Sequence, residues 1–187
     1  LIPQCFLQVL EPICEAKFHD RSYGFSPLRS AQNAMAVYYK YIQLMDMYYV
    51  VDVDIKGFFD NINHGKLLRQ MWSIGIRDKK VISIISAMLK AEVAGIGFPE
   101  KGTPQGGIIS PLLANIVLNE LDWWISDQLQ TFELRKQYSV QVQRNGTAQQ
   151  GFRLRAMRDY TNLKEGWIVR YADDFKILCK KRSDVQK

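Results

Sequence analysis

Three aspartates stand where apolar residues would be expected to pack. Asp54 lies near the end of Tyr48-Tyr49-Val50-Val51-Asp52-Val53-Asp54-Ile55, a run rich in β-branched and aromatic residues. Asp173 and Asp174 separate Trp167-Ile168-Val169-Arg170-Tyr171 from Phe175-Lys176-Ile177-Leu178-Cys179. Ionised carboxylates in such surroundings are costly unless something positive compensates them. Divalent cations would do so. Hard oxygen ligands suit Mg²⁺, which keeps its other positions for water and phosphate oxygens. Two such ions about 4 Å apart can clamp the attacking and leaving oxygens of an in-line phosphoryl transfer. Each segment also has a plainer reading, since an Asp pair suits a tight turn and D-x-D suits a strand with one wet face.

The elements that must position these groups follow from periodicity. Val51 to Ile55 alternates at period two, so Asp52 and Asp54 share one face of a strand. The two runs around Asp173 read as a β-hairpin with a very short polar break. Pro3 to Phe18 is helix-forming, with Pro12 expected to break or restart the helix. Ala31, Ala34, Met35, Tyr38, Tyr41, Ile42 and Met45 form one helical stripe ending near Asp46. Val81, Ile84, Ile85 and Met88 mark a second amphipathic helix, and Glu92 to Phe98 is a short strand candidate. The loop Gly102-Thr103-Pro104-Gln105-Gly106-Gly107 feeds an apolar helix from about Ser110 to Trp124. Residues 125–166 contain seven glutamines, and seven lysines and arginines against four acids, with little periodicity; they read as a partly mobile insertion.

The 187 residues, 47% hydrophobic and 24% charged, have the proportions of a folded domain and exclude disordered, collagenous and coiled-coil classes. Cys5, Cys14 and Cys179 lack C-x-x-C spacing, and His19 and His64 are the only histidines, which argues against a disulfide framework or a zinc site. With no long uninterrupted apolar run, the chain reads as a cytosolic protein without a membrane segment. Both ends look cut from something longer. The net charge of +6 comes wholly from residues 127–187, with 13 basic against 7 acidic side chains, which suits a polyanion-binding face or a solvated tail.

Four stretches resemble the reverse transcriptases encoded by group II introns. Val53-Asp54-Ile55-Lys56-Gly57-Phe58-Phe59-Asp60-Asn61-Ile62-Asn63-His64 is similar to their first catalytic motif, and Tyr171-Ala172-Asp173-Asp174 to their Y-A-D-D box. Gly102 to Asn115 resembles the nucleotide-pocket motif between them, and Ser22-Tyr23-Gly24-Phe25-Ser26-Pro27-Leu28-Arg29-Ser30 the fingers motif S-Y-G-F-R-P-x-R-S. Ser26 departs from that pattern, which often has arginine there.

The resemblance implies an α+β fold: the fingers and palm of a right-hand polymerase, with a ferredoxin-like antiparallel palm sheet packed on helices. Residues 1–50 would be fingers and 51–187 palm, the 125–166 insertion included, with thumb and maturase domain absent. It implies two Mg²⁺ ions held by Asp54, Asp173 and Asp174 with the Ile55 carbonyl. Phe59 would stack under the sugar and exclude a 2′-hydroxyl, Gln105 and Gly106 would line the incoming nucleotide, and Arg29 could face phosphates. The implied partners are an RNA template, a DNA primer, deoxynucleoside triphosphates and group II intron RNA, with a homodimer possible. Arg153, Arg155 and Arg158 are candidate RNA contacts by charge. A non-polymerising RNA-binding splicing scaffold and another metal-dependent enzyme on a related palm are the alternatives.

Overall fold

The computed structural model describes residues 2–185, other than 93–96, 105, 131, 136, 147, 148, 150 and 164. Three strands form an antiparallel sheet: β1 (Tyr49–Asp54), β2 (Gly166–Tyr171) and β3 (Asp174–Cys179), with β3 in the centre. The register pairs Val50 with Leu178, Asp52 with Lys176 and Asp54 with Asp174 across β1 and β3. Across β2 and β3 it pairs Trp167 with Leu178, Val169 with Lys176 and Tyr171 with Asp174. Paired residues point to the same side of a pleated sheet, so Asp52, Asp54, Asp174 and Lys176 share a face.

That face is divided along its length. At one end Val50, Leu178, Trp167 and Val169 pack against α2 (Ala31–Met45) through Ala34 and Tyr41, with Tyr23 and Met47 completing the cluster. Helix α2 starts at Ser30, whose Oγ accepts from Asn33 N, and ends on Asp46 in the left-handed region, the expected end of the stripe. The other end of the face is left to the carboxylates. On the opposite face Ile168, Arg170 and Phe175 are buried, and β2 packs on α6 (Ser110–Gln130).

A second, larger core surrounds α6. It joins α1 (Ile2–Glu15), α3 (Phe58–Asn61), α4 (His64–Ile74) and α5 (Lys79–Leu89) through Leu10, Phe58, Leu67, Met71, Ile85 and Leu113. Cys14 is fully buried in it, and burial pushes the thiol up to about 12, so it packs as a small apolar residue.

The elements depart from the sequence reading in three places. Pro12 lies inside α1, which continues only to Glu15, so the missing N–H costs a bond close to an end that was due anyway. Helix α6 continues past Trp124 to Gln130, because no glycine or proline interrupts Leu112 to Gln130. The aperiodic segment holds α7 (Gly151–Tyr160), whose buried side is only Ala156 and Met157, too narrow a stripe to register as amphipathic. Most of the Glu92–Phe98 strand candidate lies outside the described residues. A last turn, α8 (Arg182–Val185), follows β3.

Candidate active site

The register that divides the sheet also assembles the carboxylates. Asp54 ends β1 directly opposite Asp174, the first residue of β3, and Asp173 sits in the two-residue turn that joins β2 to β3. Ala172, the other turn residue, has φ 56, in the left-handed region. Asp54 and Asp174 are exposed and Asp173 is half-buried. Lys176 stands between acids of this face, with Nζ 2.7 Å from Asp52 Oδ1 and 3.6 Å from Asp174 Oδ1. The hydrogen bond to Asp52 and the nearby Asp174 charge hold its ammonium above the usual lysine range. The Ile55 carbonyl accepts from Phe58 N at 3.1 Å, and a carbonyl oxygen keeps a second lone pair for another partner.

Among the described residues, no three acids, histidines or cysteines already converge on a common point. The donor set is nonetheless suited to a hard divalent ion: three carboxylates, no sulfur or imidazole, all at one end of one sheet.

The loop before α6 is stitched to the segment after Asp54. Gly102 N donates to Ile62 O at 2.7 Å and Thr103 N to Phe59 O at 2.8 Å. His64, buried, donates Nε2–H to Gly102 O at 2.7 Å. Gly102 has φ 88, and a Cβ there would lie 2.9 Å from Asp60 O, so both its conformation and the close approach require glycine. Farther along, Ser110 Oγ and Gly107 N both donate to Pro104 O, at 2.8 and 3.0 Å. Gly106 has φ 79 with open space around its Cα, and Gln105 lies outside the described residues. Phe59 is half-buried, edge-on to Phe58 at 5.6 Å and to Phe25 of the fingers motif at 6.4 Å.

A buried network holds the aspartate turn. Arg170, fully buried, uses all five of its N–H donors. Its Nε and Nη2 reach Asp122 at 2.7–3.0 Å, Nη2 also reaches Ser22 Oγ at 2.6 Å, and Nη1 donates to Asn115 Oδ1 at 3.0 Å and to Ala172 O at 2.7 Å. Asn115 in turn donates Nδ2 to Gly24 O at 2.8 Å. Gly24 lies against the turn itself, where a Cβ would come within 2.1 Å of Ala172 N. Main-chain bonds from Tyr23 N to Arg170 O and from Arg170 N to Arg21 O, 2.9 and 3.0 Å, add the fingers segment to the edge of β2. Sequence reading missed this network. Its signals were a lone arginine inside Ile168-Val169-Arg170-Tyr171 and an aspartate set between Leu121 and Trp123 of an apolar helix, each a charge that burial obliges to find a partner.

The remaining site candidates fall elsewhere. Arg29 Nη1 donates to the carbonyls of His19 and Ser22, both at 2.8 Å, bracing the fingers turn. Arg158 makes a two-pronged pair with Glu165 at 2.6 and 2.7 Å, and Arg153 Nη2 donates to Phe132 O at 2.8 Å. Arg155 is exposed and pairs loosely with Asp159 at 3.7 Å.

The family model for reverse transcriptase (RNA-dependent DNA polymerase) matches residues 2–187. The chain belongs to the reverse transcriptase family. Its kinship is with the group II intron branch: it is 40% identical over 133 residues to the Group II intron-encoded protein LtrA of Lactococcus lactis subsp. cremoris, covering 67% of this chain and 21% of that protein. It is 33% identical over 189 residues to protein YkfC of Escherichia coli K12, covering 96% of this chain and 48% of that protein. The chain therefore spans about half or less of the length of these relatives. The apo telomerase of Candida tropicalis shares the fold, with a TM-score of 0.54 at 14% identity over 96% of this chain and 34% of that one. This supports the α+β polymerase palm, and reverse transcriptases as a family depend on divalent metal and bind nucleic acid. Among the described residues no helix is long and apolar enough to cross a membrane.

Proposed function

We propose that this chain is the fingers and palm portion of a group II intron maturase, an RNA-directed DNA polymerase that also binds its intron RNA to assist splicing and mobility. Residues 1–50 serve as the fingers portion and 51–187 as the palm, with 125–166 inserted in it. The observation that carries the reading is the pairing of Asp54 with Asp174 beside the Asp173 turn, at the end of the sheet left open by α2.

Asp54, Asp173 and Asp174, with the Ile55 carbonyl, are the groups that would hold two Mg²⁺ ions, which supply a more acidic primer 3′-hydroxyl and neutralise charge on the triphosphate. The chain's own residues do the positioning. Asp54 and Asp174 repel each other across the strands, and Lys176 offsets that charge at 3.6 Å from Asp174. Phe59, held edge-on by Phe25 and Phe58, offers its ring to the sugar of the incoming deoxynucleoside triphosphate. Gln105 and Gly106 line the nucleotide in this reading, the latter in a conformation that lets main chain approach a ligand closely. Arg29 has only its remaining N–H groups to offer the triphosphate. Arg153, Arg155 and Arg158 are the RNA contacts of the insertion, and a homodimer is compatible with the arrangement.

Primer extension on an RNA template with dNTPs and Mg²⁺ tests this in the full-length protein. Asp173→Asn and Asp174→Asn should abolish extension while leaving RNA binding largely intact. Tight RNA binding with no extension by the unaltered protein would instead identify a splicing scaffold.

A further inference from the structure

The near-balance of charge over the first two thirds of the chain conceals a local excess. From His64 to Lys90 the chain carries Lys66, Arg69, Arg77, Lys79, Lys80 and Lys90 against a single acid, Asp78. All six cations are exposed. Asp78 caps α5, its Oδ1 accepting from Lys80 N and Val81 N at 2.7 and 3.3 Å. Lys66 alone has an ion-pair partner among the described residues, Glu120 at 3.5 Å. Two of these cations, Lys79 and Lys90, line a groove of about 500 Å³ between α4 and α5. Leu68 and Trp72 form its α4 wall. Lys79, Ser83, Ser86 and Lys90 lie along its α5 wall at helical spacing, the two lysines about 16 Å apart along the axis. Trp72 is 40% exposed and offers its ring to the groove. The packing runs from β2 to α6, α6 to α4 and α4 to α5, and Ile85, Met88 and Leu89 of α5 line a separate cavity with Pro104, Gly107 and Ile108 of the loop before α6.

We infer that this groove is a second nucleic-acid site, taking a single-stranded RNA segment with Trp72 stacked on a base and Lys79 and Lys90 on its phosphates. An aromatic face within a positive groove is the arrangement by which proteins hold unpaired strands without reading sequence. The serine hydroxyls add phosphate donors between the lysines. An acidic protein segment would match the charge and the indole too, and it is the outcome that the polyglutamate peptide tests. The site stands apart from the polymerase reading and survives if that reading fails.

The full-length protein is first loaded with a chain-terminated primer–template hybrid to occupy the polymerase cleft, then titrated with a fluorescein-labelled 12-nucleotide single-stranded RNA at several salt concentrations. Lys79→Ala/Lys90→Ala should weaken binding and reduce the slope of log affinity against log salt by about 1.4, the share of two phosphates on a single strand. Trp72→Ala should weaken binding roughly 5- to 150-fold, with Trp72→Phe restoring most of it. Primer extension by these variants should stay at the level of the unaltered protein. Unchanged affinity and slope, or no binding of the RNA to the loaded protein, overturns the site. Loss of binding to a polyglutamate peptide with RNA binding intact also overturns it, in favour of a protein-docking face. Failure of extension in every protein, the unaltered one included, counts against the polymerase reading alone.

Discussion

Strand β2 carries the same chemistry at its two ends in opposite settings. At the aspartate end, Arg170 and Asp122 are 0% and 1% exposed in their side chains. At the entry end, Arg158 and Glu165 are 33% and 9% exposed. Both are guanidinium–carboxylate pairs with two short bonds. The buried pair is tied to helix α6, the fingers segment and the turn carbonyl at once, so it defines where Asp173 and Asp174 stand. The partly exposed pair fastens α7 to the start of β2, with Trp167 Nε1 donating to Glu165 at 2.8 Å. A buried ion pair adds little net stability over apolar packing but is strongly destabilising to halve. That asymmetry ranks the experiments that separate the two ends.

Removing Arg170 should have the largest effect. Arg170→Ala leaves Asp122 charged and unpaired in the core and should cost about 3–5 kcal/mol, read as loss of protease resistance and of extension in the full-length protein. Arg170→Lys keeps the charge but cannot reach Asp122, Asn115, Ser22 and Ala172 together. It should retain protease resistance better and lower kcat for extension with little change in KM for dNTP, because the turn moves while the nucleotide loop does not. A kcat equal to that of the unaltered protein would show that the turn needs no such brace.

Gly24→Ala comes next. Its Cβ must displace main chain at Ala172 or Tyr171, neither of which is a flexible side-chain end. Extension should fall by at least tenfold, while binding of RNA through other surfaces is kept. Equal extension would mean that the fingers loop yields and the hairpin does not feel it.

At the other end, Arg158→Ala should cost about 1 kcal/mol or less, since the guanidinium is a third exposed and partly screened. The pair also makes a pH signature. Burial pushes the Glu165 carboxyl up, but hydrogen bonds from Arg158 and Trp167 outweigh it and hold the group below its ordinary value of 4.5. Stability from this pair is therefore complete above pH 4.5 and is lost as pH falls through the lower folded value. Hydrogen exchange over 151–167 should rise on acidification in the unaltered protein and be already raised, and less sensitive to pH in that window, in Glu165→Gln. An identical pH response in both would remove Glu165 as the cause.

The contrast also marks what sequence makes legible. Strand alternation around Asp54 and the short break at Asp173 follow from local period, and the sheet register confirms the shared face of Asp52 and Asp54. The family motifs supplied the order of the site's parts. Arg170, Asp122, Asn115, Ser22 and Gly24 were illegible as a unit because they meet across separations of 48 to 148 residues, or by main-chain approach that no side-chain pattern records. Helix α7 was missed because it buries only Ala156 and Met157 and is otherwise fastened by polar contacts of Arg153 and Arg158 rather than by an apolar stripe. The groove between α4 and α5 was missed because summing charge over a long segment averages away a patch.

The smallest effect on stability belongs to Arg155, and that makes it the sharpest probe of the insertion. Its side chain is 81% exposed and its pair with Asp159 spans 3.7 Å between neighbours one helical turn apart. Such a pair contributes about 0.3–0.5 kcal/mol. Replacing Arg153, Arg155 and Arg158 together confounds RNA contact with fold, because Arg158 anchors α7 and Arg153 binds the Phe132 carbonyl. Arg155→Ala alone leaves both anchors in place. If the insertion touches RNA, intron affinity falls and the salt slope drops by about 0.7 to 0.9, one phosphate's worth, while hydrogen exchange over 151–167 is unchanged. If slope and affinity hold, α7 serves the sheet and not the RNA, and both ends of β2 are then structural devices differing only in how deeply their ion pairs are buried.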